Sequence, residues 1–238
     1  MAGRNVRLLK KETIAEATMA FHFEKPKGFE YRAGQFGDFT LINPPETDAE
    51  GNTRGFSLAS APDDPALMVA TRMRDTAFKR VLKDLPIGTE VVLDAPYGDF
   101  TLHKTQTTPA VYLTGGIGIT PVRSIIAAAA RQKLPHKITL FYSNRTRQSA
   151  AFTADLEAFA AANPNFKFIS VIADGADPAG KAEAGLINRT LLEKYLPDLR
   201  TPIYYVSGPA TMVAAMRKIL TDAEVNEDNI RTEEFSGY

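Results

Sequence analysis

The sequence predicts two domains: an antiparallel β-barrel or sandwich, followed by an α/β domain built on a parallel sheet. Three observations lead there. Up to about residue 103 the chain reads as short strands punctuated by Pro and Gly. Beyond Pro109, almost wholly apolar strands alternate with helices. At 238 residues there is chain enough for two cores of ordinary size. The junction is expected at 104–109, giving domains 1–105 and 106–238.

In the first domain, residues 6–9, 20–23, 36–41, 56–58, 67–73 and 90–93 are strand-like. One helix interrupts them: in Asp75-Thr76-Ala77-Phe78-Lys79-Arg80-Val81-Leu82 a capping residue precedes apolar positions at helical spacing. The second domain opens on the apolar run 110–114, then a glycine turn and a helix over 121–133. Strands follow at 138–142, 166–172 and 203–206, and helices at 153–162, 188–195 and 210–223. Strands this apolar are covered on both faces, as in a parallel sheet. No internal repeat is present.

Net charge is zero, with 14 basic and 15 acidic residues in 1–105 and 14 and 13 in 106–238. A nucleic-acid binder shows a basic excess in the domain that meets phosphates, so that class is disfavoured. No apolar stretch follows the basic N-terminus as in a secretory signal, and no apolar run spans a bilayer. A cytoplasmic location is the expectation. The absence of cysteine excludes disulfides, thiolate zinc and cysteine-ligated iron–sulfur clusters within these 238 residues. His22, His103 and His136 are too scattered for a metal site, and none is expected.

Two segments carry chemistry. Arg54-Gly55-Phe56-Ser57 sets a cation, a ring and a hydroxyl on one extended stretch, which suits a flavin with a diphosphate tail. Its structural alternative makes Phe56 and Leu58 core residues and leaves Arg54 solvated. Thr114-Gly115-Gly116-Ile117-Gly118-Ile119-Thr120-Pro121 is a glycine turn between a buried strand and a helix, where backbone N–H groups can approach a pyrophosphate. Pro121 suits the first helical turn, where no N–H is needed. Pro stands where GxGxxG has its last glycine, and tight βα turns also use glycine without a ligand. Ser207-Gly208-Pro209 is a second turn, ahead of a helix bearing Met212. Asp63-Asp64 and Glu233-Glu234 read as solvated surface.

In combination and order these segments resemble the ferredoxin–NADP reductase superfamily, over nearly the whole chain. The resemblance implies an N-terminal flavin-binding β-barrel and a C-terminal nucleotide domain. Arg54, Phe56 and Ser57 match the family's Arg-x-(Tyr/Phe)-Ser. They imply Arg54 on the flavin diphosphate, Phe56 on the isoalloxazine and Ser57 near flavin N5, with Gly55 between them. Ala33-Gly34-Gln35-Phe36 is similar to a strand that supports the barrel. Thr71, Arg72, Thr76, Ala77 and Lys79 fall where the family sets a strand end and a helix N-terminus against the cofactor, although its Gly-x-x-Ser is absent. Thr114 to Pro121 match the nucleotide loop. Ser207-Gly208-Pro209 match Cys-Gly-Pro, with Ser207 replacing the cysteine beside the nicotinamide. Phe235 is expected against the flavin ring, with Tyr238 a second choice. Asn144 and Arg145 follow the second strand of the nucleotide domain, and no acidic residue stands there to hold a ribose diol, which leans to NADP over NAD.

The implied function is an FAD-dependent NAD(P)H oxidoreductase that passes electrons to a separate ferredoxin or flavodoxin, or to a small-molecule acceptor. Lys10, Lys11, Lys25, Lys27, Arg72 and Arg74 are candidates for docking an acidic partner, or a solvated face. Three other readings remain: a free-flavin reductase, an electron-transfer subunit of a larger complex, and a nucleotide-binding module without redox activity.

Overall fold

The computed structural model describes residues 3–175 and 180–235. The first domain contains β1 (Arg4–Ala15), β2 (Thr18–Glu24), β3 (Phe36–Leu41), β4 (Thr53–Ser57), β5 (Ala66–Arg72), helix α1 (Ala77–Asp84) and β6 (Glu90–Tyr97). Its strands pair antiparallel in the order β4-β3-β6-β1-β2-β5. Just past β4, Leu58 N–H donates to the Gln35 carbonyl and Ala59 N–H to Met68 of β5 at 2.7 Å. The two edge strands thereby meet, and the sheet curls into a barrel. Alternation in β3 turns Gly37, Phe39 and Leu41 inward. Phe39 and Leu41 join Phe21, Phe23, Leu58 and Leu93, with Phe78, Val81 and Leu82 of α1, in one apolar core.

β1 runs well beyond the strand expected at 6–9. Its second half is mostly polar and none of it is fully buried, so alternation does not reveal it. Pairing with β2 through a tight turn, with Ala17 at φ 49°, holds it extended.

The second domain contains β7 (Ala110–Gly115), a 3-10 turn at Gly116–Gly118, α2 (Ile119–Arg131), β8 (Ile138–Asn144), α3 (Thr153–Ala162), β9 (Phe166–Ile172) and β10 (Glu183–Ala184). There follow α4 (Arg189–Tyr195), β11 (Ile203–Pro209), α5 (Ala210–Asp222) and β12 (Ile230–Phe235). The sheet order is β10-β9-β8-β7-β11-β12, every pairing parallel. The chain order reverses between β7 and β11, and in open α/β sheets the crevice at the carboxyl ends of such strands takes ligands.

One face of this sheet packs Tyr112, Tyr142 and Tyr205 under α2 and α3, together with Ala20, Ala59, Met68 and Phe100 from the barrel side. The other buries Val111, Phe141 and Val206 against Leu192 of α4 and Met216 and Leu220 of α5. The linker after β6 is tied down: the Thr101 carbonyl accepts from Tyr205 Oη (3.2 Å) and Arg231 (3.1 Å), and His103 N–H donates to Tyr205 Oη at 2.9 Å.

Candidate functional site

β12 builds the meeting point of the domains. It lies parallel to β11 with Glu233 opposite Ser207 and Phe235 opposite Pro209. A cavity of about 350 Å³ opens between β12 and the barrel, lined by Phe36, Gly55, Ser57, Gly98, Glu233 and Phe235 among others. Across it, Ser57 Oγ donates to Glu233 Oε1 at 3.2 Å. Burial pushes the Glu233 carboxyl up to about 7; Asp99 adds to this, while the bond from Ser57 favours the charged form and works against it. The expectation of a solvated Glu233 is therefore corrected: pairing with β11 carries this carboxyl into the seam.

A larger cavity, about 600 Å³, lies over the carboxyl ends of β7, β8 and β11. Of the residues expected at a nucleotide it brings together Gly115, Gly116, Asn144, Arg145, Pro209 and Met212, and it adds Arg72 from the barrel. Asp174, Leu186, Ile187 and Thr211 also line it, and the sequence had singled out none of these. Asn144 is buried, yet neither its Oδ1 nor its Nδ2 has a partner among the described residues. A buried amide without partners is costly, so one bordering a cavity is suited to a polar ligand. Asp174 stands 3.5 Å from Arg145 Nε. β9 ends beside β8 and so brings near Arg145 a carboxylate that the neighbouring sequence does not supply.

The glycine turn is shaped by close approach. A Cβ on Gly118 would lie 2.6 Å from the Ser207 carbonyl carbon and oxygen, so only glycine lets α2 begin against β11. The helix starts at Ile119, two residues ahead of its expected start, and Pro121 falls in its first turn. Ser207 Oγ is fully buried; it donates to the Gly118 carbonyl (2.9 Å) and lies 3.2 Å from Thr114 Oγ1, also fully buried. Ser207 and Thr114 thus hold the turn from beneath instead of opening onto the cavity. Ile119, Thr120 and Pro121 are buried too, and Thr120 Oγ1 donates to the Ile117 carbonyl at 3.0 Å. Gly208, paired opposite Glu234, completes the seam.

A third group surrounds the N-terminus of α1. Thr76 caps the helix, its Oγ1 accepting from Lys79 N–H at 3.4 Å. Lys79 Nζ donates to the Arg72 carbonyl, and burial, then Arg74 and Arg54, lower its pKa. Arg54 lies 5.1 Å from the Phe78 ring centroid. Helix N–H groups with Arg54, Arg74 and Lys79 are the donor set a diphosphate requires. Thr71, the last residue but one of β5, is buried. The ring of Phe56 is half-buried between Phe39 and Phe78, with centroids 5.9 Å from each. Tyr238 lies outside the described residues.

Residues 112–218 match the family model for the oxidoreductase NAD-binding domain. The whole chain superposes on a ferredoxin–NADP⁺ reductase from Neisseria gonorrhoeae, a structure with bound FAD and NADP: TM-score 0.81, 19% identity, 98% of each chain covered. The chain thus has the two-domain fold of such reductases. The reductase-like fold also matches the flavohem-like FAD/NAD-binding domain of nitric oxide dioxygenase from Vibrio cholerae O1 biovar El Tor, with TM-score 0.86, 20% identity and 99% of each chain. In sequence it is 29% identical over 224 residues to a component polypeptide of the Na⁺-translocating NADH-quinone reductase of Yersinia pseudotuberculosis, covering 87% of this chain and 54% of that protein. The chain thus spans about half the length of the curated relatives it matches.

Proposed function

We propose that this reductase-like chain binds FAD on the barrel and a pyridine dinucleotide over the second sheet, and passes electrons to an external acceptor. The observation that carries the reading is the Ser57–Glu233 contact, which joins the Arg54-Gly55-Phe56-Ser57 strand to the nucleotide domain across the smaller cavity. When bound, the flavin supplies the chemistry, accepting a hydride from the nicotinamide and releasing electrons onward. Arg54 and the α1 N-terminus hold its diphosphate, and Phe56 and Phe235 offer rings to the isoalloxazine. The turn over Gly115 and Gly116 receives the nucleotide pyrophosphate. Ser57 and Glu233 set the proton inventory at the reacting edge: below about pH 7 Glu233 is neutral and can return a proton through Ser57 Oγ. Ser207 acts beneath, by fixing the turn.

For the nucleotide, the Arg145–Asp174 pair favours NADH. Asp174 neutralises the guanidinium, repels a 2′-phosphate and accepts hydrogen bonds from a ribose diol. The acceptor we propose is a separate carrier, a ferredoxin or flavodoxin, which puts the chain in the cytoplasm. The likeness to one component of an NADH-quinone reductase favours a second reading, an electron-transfer subunit of a larger complex. No helix among the described residues is long and apolar enough to cross a membrane.

The test is an anaerobic absorbance titration of the flavin-loaded protein with NADH and then NADPH. Bleaching at lower NADH than NADPH is expected. A protein that takes up no FAD contradicts the flavin assignment, and stronger bleaching by NADPH contradicts the role of Asp174.

A further inference from the structure

The loop between β3 and β4, residues 42–52, carries carboxylates at three alternate positions, Glu46, Asp48 and Glu50. All three turn toward the cations around α1. Glu46 takes Arg80 in a two-pronged contact at 2.9 and 2.6 Å. Asp48 Oδ1 accepts from Arg54 Nη2 at 3.1 Å and from Glu50 N–H at 3.0 Å. The backbone N–H of Ala77, first residue of α1, also helps to lower the pKa of the Asp48 carboxyl. Glu50 adds its carboxylate at 3.0 Å from Arg54 Nη2, and its carbonyl accepts from Arg54 Nη1 at 3.0 Å. Asp48 therefore engages a donor assigned above to a diphosphate, the Arg54 guanidinium, and its charge is favoured by the start of the α1 backbone.

We infer that Asp48 is an internal stand-in for the flavin diphosphate, and that the β3–β4 loop must release Arg54 before a dinucleotide flavin can seat. The inference rests on the reading of the barrel as a flavin site. The latch is built to yield. The side chains of Asp48 and Glu50 are 32% and 76% exposed, so their pairs with Arg54 are weakened by solvent and salt. A diphosphate brings two adjacent charges to the same donors and displaces a single carboxylate. The loop then sets how readily flavin exchanges, which is what separates a resident cofactor from a departing substrate.

The latch acts on the diphosphate alone, and this gives it a signature. The experiment is a flavin-fluorescence titration of the flavin-free 238-residue protein with FAD and with riboflavin, for wild type, Asp48→Asn and Glu50→Gln. Asp48→Asn keeps the acceptor for Glu50 N–H but removes the charge. It is expected to tighten FAD by up to about fivefold, the worth of one partly exposed ion pair, and to leave riboflavin unchanged. Glu50→Gln, which leaves Asp48 in place, is expected to tighten FAD less. If wild type binds FAD and Asp48→Asn binds it equally or more weakly, or if riboflavin shifts in parallel, the latch is overturned and the flavin site stands. If no variant binds either flavin, both fall.

Discussion

At Glu233, burial and a charged neighbour decide the chemistry of a single carboxyl. Its pKa rises from 4.5 to about 7 on folding, so the folded state holds the proton more tightly than the unfolded chain. Stability must therefore fall as pH rises from about 4.5 to about 7, with the loss complete above 7. Glu233→Gln should melt higher than wild type at pH 8 and level with it near pH 4.5. The same change should flatten any midpoint near pH 7 in the rate of NADH-dependent flavin bleaching. Asn144 poses a different test, since its buried amide has no described partner. Asn144→Ala should weaken the nucleotide by roughly tenfold, read as the Kd of NAD⁺, and leave the urea midpoint nearly unchanged. The sequence makes Ser57 and Asn144 legible because each lies in a contiguous motif. Glu233 and Asp174 were not, since each gains its meaning from a partner on another strand; Glu233 and Ser57 are 176 residues apart.

Among elements, the glycine turn is the most constrained. Gly118→Ala would drive a methyl group into the Ser207 backbone, where neither chain can yield without moving β11 or α2. We expect a loss of about 2–3 kcal/mol in urea unfolding, together with weaker nucleotide binding. Gly34 is constrained in the same way, because its φ of 97° and the approach of the Phe100 carbonyl fix the turn that feeds β3. The strands and helices whose apolar spacing is strong were legible, β9 at its full extent. β12 was not: four of the six residues of Ile230–Phe235 are polar, and only parallel pairing with β11 makes it a strand.

Across the whole molecule, the seam between barrel and nucleotide domain is held by Arg123 of α2. It donates to the Ala59 carbonyl at 2.7 Å and to Asp155 of α3 at 2.8 Å, with its guanidinium over the Phe152 ring. Its side chain is only 13% exposed. Arg123→Ala should lower unfolding stability by about 2–4 kcal/mol, and Arg123→Lys should recover little of it, because one ammonium cannot span both acceptors. Sequence alone determined the two-domain plan, the apolar strands and the motifs at Arg54 and Gly115, because each is written in neighbouring residues whose spacing matches a local period. Tertiary structure alone decided that Glu233 meets Ser57, that Asp174 meets Arg145, that Ser207 is sealed beneath its turn, and that Asp48 sits on Arg54. Those are contacts between distant segments, and their charge and burial exist only once the sheets have packed.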